Sequence, residues 1–407
     1  MEFGIFQNGY IPGPSAHIPE HEHLMLMREA SYPILADKHN WKFAWFGEHH
    51  CLTEYSHLSA PEVMIAWVAA QTDYIHLGTA ITSLPTTKEH PVRIAERAAM
   101  LDHFCEGRFE FGTGRGAGSH EVASFNGTLT SDTKAMWNEV IAEIPRMWAQ
   151  RDYAHEGEHF RVPPNHNIVP KPLDGTHPPL WVACGNLATF ATAGSMGIGA
   201  IAFNFEPASA LKGRIDSYKE AIAGCDEPHG SYMNDNVMMT NALICLEDRD
   251  RAREIALKAG RGYLYSMVCL YHDTIPKREG APTWPEPPLG LPDEATLDFA
   301  IDAGYMLCGT PEEVCEQMEK SYAAVGTDQL VFGLPNEGFA YEEILEMIEI
   351  FGDRVIPEFD GDRVHSTEKY RANAVRKHPE WNAPPPDIKT TLPPSASMPI
   401  PYRSALH

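Results

Sequence analysis

Phe43-Ala44-Trp45-Phe46-Gly47-Glu48-His49-His50 is an apolar run of strand length that passes directly into a glycine, a carboxylate and two imidazoles. A short run without polar alternation fits a strand buried on both faces, as in a parallel sheet. Pro61, a residue type favoured at the first helical position, opens a helical stretch after it. The same unit recurs in both directions. Upstream, Phe3–Gln7 reads as a strand and residues 22–39 as a helix; downstream, Ile75–Thr82 precedes a helix from Pro91, and Phe109–Thr113 precedes one over residues 132–149. Further strands read at Leu180–Ala183, Ala200–Asn204, Val237–Cys245 and Gln329–Phe332, with helices in the intervals. Strands alternating with helices in this way predict an α/β chain whose residues 1–354 form a single (β/α)8 TIM barrel.

Two insertions interrupt the pattern. After the fourth strand, residues 151–178 carry glycine and prolines that break any helical period, so a hairpin and loop are expected. After the seventh strand comes a long excursion containing Pro282-Thr283-Trp284-Pro285-Glu286-Pro287-Pro288, too rich in proline for a helix, which reads as a lid over the barrel mouth or as a surface loop. Residues 355–407 lose periodicity and turn proline-rich, as in Ala383-Pro384-Pro385-Pro386, and are expected to wrap over the surface or a neighbouring subunit.

The chain has 407 residues, 43% hydrophobic and 22% charged, which supplies a large core. Its 32 basic and 56 acidic residues give a net charge of -24, which repels nucleic acid and anionic membranes alike. The opening residues form a strand without a basic leader, and no apolar run approaches the roughly 20 residues of a membrane span, so a cytoplasmic location is expected. Eight scattered cysteines with no C-x-x-C pair read as reduced core thiols, with neither a disulfide nor a zinc site expected.

In a (β/α)8 barrel the ligand sits where the carboxyl ends of the strands meet the loops, which makes strand-end residues the site candidates. His49, at the end of the second strand, is the candidate acid or base, because imidazole titrates near neutrality. Adjacent residues on an extended segment point to opposite sides, so His49 and His50 do not reach one metal ion, and no metal is expected there. Gly112-Thr113-Gly114-Arg115-Gly116-Ala117-Gly118 follows the fourth strand; its glycines and Arg115 suit a phosphate, though glycine-rich turns are also common as plain structure. The run is neither a Walker A sequence nor the dinucleotide fingerprint, and a mononucleotide suits it better. Cys184-Gly185-Asn186, before an apolar helix, offers a second anion site or simply a helix cap. Gly78-Thr79-Ala80-Ile81-Thr82 is small and apolar where a flat ring could lie. Tyr263-Leu264-Tyr265-Ser266-Met267-Val268 suits an apolar substrate pocket or a buried helix equally.

Taken together, Phe3-Gly4-Ile5-Phe6, Glu48-His49-His50, Gly78-Thr79-Ala80, His90-Pro91-Val92-Arg93, Leu101-Asp102, Gly107-Arg108-Phe109, Phe111-Gly112, Arg115-Gly116 and Gly309-Thr310-Pro311-Glu312-Glu313 resemble the bacterial luciferase-like, flavin-dependent monooxygenases. The resemblance spans roughly residues 1–352. It implies FMN, bound as FMNH2 and supplied by a separate NAD(P)H:flavin reductase, and an oxygenation through a flavin C4a-hydroperoxide that His49 helps to form or protect. It implies also that Arg115, with Gly116 and the Cys184-Gly185-Asn186 turn, grips the FMN phosphate. Ala80-Ile81 matches a non-proline cis peptide that braces the flavin ring. Gly114 stands where light-emitting relatives have a reactive cysteine and Cys184 where they have a glutamate, departures that point to a metabolic oxygenase rather than to light emission. The expected substrate is a small, mostly apolar molecule, and the expected assembly a homodimer. Rival readings are an F420-dependent hydride-transfer oxidoreductase on the same barrel and a non-catalytic flavin-binding paralogue.

Overall fold

In the computed structural model, which describes residues 1–11, 18–52, 55–116, 118–203, 206–258, 293–334 and 339–374, strands and helices alternate from the first residues. They run β1 (Glu2–Gln7), α1 (Pro19–Ala36), β2 (Phe43–Phe46), α2 (Pro61–Ala69), β3 (His76–Thr79), β4 (Thr82–Ser83), α3 (Pro91–Phe104) and β5 (Phe109–Gly114). Then come α4 (Ser119–Ala123), α5 (Thr133–Ala149), the hairpin β6 (Tyr153–Glu156) and β7 (Arg161–His166), β8 (Leu180–Ala183), α6 (Leu187–Ser195), β9 (Gly199–Ala202), α7 (Lys212–Ala223) and β10 (Val237–Cys245). A helix α8 over residues 249–258 follows. The chain continues through α9 (Glu294–Asp302), β11 (Met306–Gly309), α10 (Pro311–Tyr322), β12 (Gln329–Gly333), α11 (Tyr341–Ile350), α12 (Ile356–Phe359) and α13 (Ser366–Ala372). No helix among the described residues is long and apolar enough to cross a membrane.

The strands β1-β2-β3-β5-β8-β9-β10-β12 pair in that order, all parallel, and β12 returns to β1, closing the expected eight-stranded barrel. Side chains alternate between its two faces. Phe6, Phe43, Trp45, Trp181, Ile201, Met238 and Val331 fill the lumen, with Trp45 and Trp181 edge to face at 5.1 Å. Their neighbours Ile5, Ala44, Leu77, Phe111, Val182 and Leu330 belong to the larger core under the helices. The lumen is thus a packed plug rather than a pore.

Two features differ from the sequence expectations, and a third lies in the stretch expected to wrap over the surface. The single strand expected over Ile75–Thr82 is two, β3 and β4, separated by a cis peptide bond between Ala80 and Ile81. The four residues of β11 form a strand that sequence reading overlooked; β10 is long enough that Met238–Ala242 pair within the barrel while Ala242–Cys245 run on to pair with β11. Finally, residues 360–374 cover the amino-terminal end of the barrel. Glu2 accepts hydrogen bonds from Lys42 and from Ser366, and buried Asp102 takes a two-pronged pair from Arg371 at 2.7 and 2.8 Å. The stretches 263–268 and 282–288, Asn204, Cys269 and the chain beyond 374 lie outside the described residues. Among the described residues every cysteine is free.

Candidate active site

The candidate residues all fall at the carboxyl ends of four adjacent strands. β2 delivers His49, the β3–β4 link delivers Ala80 and Ile81, β5 delivers Gly114, Arg115 and Gly116, and β8 delivers Cys184, Gly185 and Asn186. Beneath them the floor is apolar. Phe6 and Phe203 meet edge to face at 5.5 Å, and Ala80 and Ile81 belong to the same cluster.

His49 is held from two sides. Its Nδ1 lies 3.3 Å from Oε2 of Glu121, and its ring meets that of Tyr55 edge to face at 4.9 Å. A carboxylate only accepts, so Nδ1 carries a proton, and in the neutral ring the lone pair is the one on Nε2. Oε1 of Glu121 takes the backbone N–H of His50 at 2.9 Å, which fixes the whole turn. The His50 ring goes elsewhere: Nε2 is 2.9 Å from Oε1 of Glu48, a buried carboxylate that also pairs with Lys88. Burial alone would raise the Glu48 carboxyl, but its bonds to His50 and Lys88 hold it below the usual range. The His49 and His50 rings therefore engage different carboxylates, Glu121 and Glu48.

The two glycine turns lie side by side, because β5 and β8 are neighbours with Thr113 opposite Val182. Arg115 is exposed and has no ion-pair partner among the described residues. Gly116 adopts a φ of +88°, a conformation that L side chains rarely take, and nothing lies within 4 Å of the position a Cβ would occupy on Gly185. Asn186 caps α6 by accepting from Thr189 N at 3.1 Å, leaving the helix start exposed. At the mouth, Oδ1 of Asn8 is buried without a hydrogen-bond partner among the described residues, while its Nδ2 donates to the Tyr55 carbonyl at 3.1 Å.

Residues 1–329 match the model of the family described as luciferase-like monooxygenase. The chain belongs to the luciferase-like monooxygenase family. It is 26% identical over 346 residues to the oxygenase component of the flavin-dependent trigonelline monooxygenase of Acinetobacter baylyi, covering 82% of this chain and 90% of that one. The oxygenating constituent of 3,6-diketocamphane monooxygenase from Pseudomonas putida, a type II Baeyer–Villiger monooxygenase solved with FMN, superposes with a TM-score of 0.70 at 20% identity, over 88% of this chain and 98% of that one. The F420-dependent tetrahydromethanopterin reductase of Methanopyrus kandleri shares the fold with a TM-score of 0.61 at 18% identity, over 88% and 99% of the two chains.

For a luciferase-like monooxygenase the residues present suit a mononucleotide flavin. An exposed arginine, a positive-φ glycine at 116 and the open backbone of Gly185 are donors of the kind a phosphate takes, an apolar floor offers a surface for a ring, and Asn8 Oδ1 is an acceptor for a ring N–H. Cys184 differs from the rest of the set. Its thiol is buried beneath α6, 3.5 Å from the carbonyls of Val182 and Thr189, and burial pushes it up to about 12, although bonds with Thr189 and Ile201 pull the other way. The alternation that turns Ala183 inward turns Cys184 toward the helices. Sequence reading missed Asn8, Tyr55 and Glu121. None sits in a motif, and Glu121 reaches His49 only because α4 folds back over the β2 turn.

Proposed function

We propose that this chain is the oxygenase component of a two-component monooxygenase that binds FMNH2 and inserts one atom of O2 into a small, mostly apolar organic molecule. The observation that carries the reading is the juxtaposition, above one apolar floor, of an exposed arginine without an ion-pair partner among the described residues, the open Gly185 turn and a carboxylate-oriented histidine. Bound FMNH2 would supply two electrons, so that one oxygen atom enters the substrate and the other leaves as water while the flavin is oxidised. Arg115 with the Gly116 and Gly185 turns holds the phosphate, and Ala80 and Ile81 support the ring. His49 Nε2 accepts and returns a proton. A separate NAD(P)H:flavin reductase regenerates FMNH2, and the cytoplasm supplies the reductant. Val63 and Trp67 on α2 and Met100 and Phe104 on α3, each pair spaced by one helical turn, are exposed on adjacent helices, which supports a homodimer through that face. Equilibrium binding of reduced FMN and of reduced F420 under anaerobic conditions tests the cofactor: selective binding of F420 would replace the oxygenase by a hydride-transfer enzyme.

A further inference from the structure

At the opposite end of the barrel from this site, His76 enters the lumen floor at the start of β3. Its Nδ1 donates to Oε1 of Glu110 at 2.8 Å, and Glu110 also accepts from Trp181 Nε1 at 2.7 Å and from the Thr367 hydroxyl at 2.5 Å. His76 Nε2 therefore faces outward, 3.3 Å from Oε1 of Glu368. His365 stacks on His76, ring centroids 3.8 Å apart. Its Nε2 donates to the backbone carbonyl of Lys42 at 3.0 Å, which leaves Nδ1 bare. That nitrogen has no hydrogen-bond partner among the described residues, its residue is 1% exposed, and it lies 3.8 Å from the same Glu368 oxygen. All three atoms fall within 4.8 Å of one another.

Each histidine thus has its second nitrogen engaged by an acceptor, one a carboxylate and one a backbone carbonyl, which is how metal-ligating histidines are oriented. Ligands about 2.1 Å from a tetrahedral ion stand roughly 3.4 Å apart, close to the separations from Glu368 seen here. We propose that His76 Nε2, His365 Nδ1 and Glu368 Oε1 bind a divalent transition metal of the zinc class, which pins residues 360–374 to the underside of the barrel. Two imidazoles and one carboxylate favour Zn2+, Ni2+ or Cu2+ over Mg2+ or Ca2+. Glu368 is half-exposed, which gives the ion a route in and leaves room for water to complete its shell. The rings, now 16° from parallel, open toward the ion by turning about their Cβ–Cγ bonds, whose torsional wells are broad. Lys42, whose carbonyl takes the His365 ring, has its ammonium paired with Glu2 and Asp360.

The competing arrangement places a proton, not a metal, between His76 and Glu368. Calorimetric titration of ZnCl2 into the chelator-treated full-length protein separates the two, and its readout is independent of flavin binding. The metal site requires one zinc per chain, at least a tenfold weaker Kd in Glu368→Gln, and a melting temperature that rises with zinc in wild type but not in the variant. Co2+ titrated in place of zinc should give the visible absorption of a four- or five-coordinate ion in wild type alone. Absence of saturable binding, or equal binding by wild type and Glu368→Gln, overturns the proposal; the latter result would assign the zinc to other surface histidines.

Discussion

The carboxylate of Glu121 lies 3.3 Å from Nδ1 of His49 and so decides which face of that imidazole is free to act. His49→Ala should keep reduced-FMN binding while lowering oxygenation by about 10^2 to 10^4-fold, the usual worth of a positioned acid or base. Glu121→Gln makes a sharper test. Its amide can still accept the His50 N–H through oxygen, but it then presents N–H groups to His49 Nδ1 and favours the tautomer with the proton on Nε2. Flavin affinity should hold while oxygenation falls at least about tenfold. Stopped-flow mixing of the anaerobic flavin complex with O2 reads this as faster formation of oxidised FMN and H2O2. Unchanged kinetics in both variants would remove His49 from the chemistry.

Arg115 is expected to anchor the phosphate and take no part in the reaction. A charge-assisted hydrogen bond contributes roughly 1.5 to 3 kcal/mol, so Arg115→Ala should weaken reduced-FMN binding by about 10 to 150-fold. Arg115→Lys should recover part of this, because an ammonium keeps the charge without the planar fork. Overlapping titration curves for the three proteins would make Arg115 a surface residue.

Gly114 and Ile81 fit together as a pair. A Cβ on Gly114 would stand 2.7 Å from Cγ1 and 2.8 Å from Cδ1 of Ile81, so a side chain at 114 and isoleucine at 81 compete for one space. Gly114→Ala should cost about 1 to 3 kcal/mol by overpacking. Combining it with Ile81→Ala should give a double variant more stable than the sum of the singles by about 1 kcal/mol, measured by urea unfolding. Strict additivity would show that the two positions do not share the space.

The barrel was legible because its strands are short, apolar and separated by helix-length segments, and because lumen and outer residues alternate so regularly that Trp45 and Trp181 face each other as β2 and β8 require. The placement of the His49 turn and the Arg115 loop at neighbouring strand ends was legible because strand ends in such a barrel converge. Glu121 was not, since it gains its role through a fold-back of α4 that leaves no periodic trace in the sequence. Nor was the cluster at the barrel floor: His76 and His365 stand far apart along the chain and meet only because residues 360–374, read from composition as a tail, close the barrel from below.

His177 gives a pH signature. It is buried, its Nδ1 donates to the Pro178 carbonyl at 2.8 Å and its Nε2 accepts from Ser231 N at 2.7 Å, so the neutral ring is the one that fits. Burial is the main cause that lowers its pKa from 6.5 to about 4. The unfolded chain therefore binds the extra proton first, and stability should fall as pH drops from about 6.5 to 4, by about 3 kcal/mol from this residue. Urea unfolding of wild type and His177→Gln across that range checks it: the variant should be less stable at neutral pH and should show a shallower decline. Parallel pH profiles would assign the acid sensitivity elsewhere.

A barrel mouth proposed to hold a reduced flavin mononucleotide must gain affinity from the phosphate. Anaerobic calorimetric titration with reduced FMN, reduced riboflavin and reduced F420 tests it most directly. One FMN site per chain is expected, with riboflavin weaker by about 10 to 150-fold for want of the phosphate and no saturable F420 binding. Equal affinity for FMN and riboflavin, or tighter binding of F420 than of FMN, would contradict it.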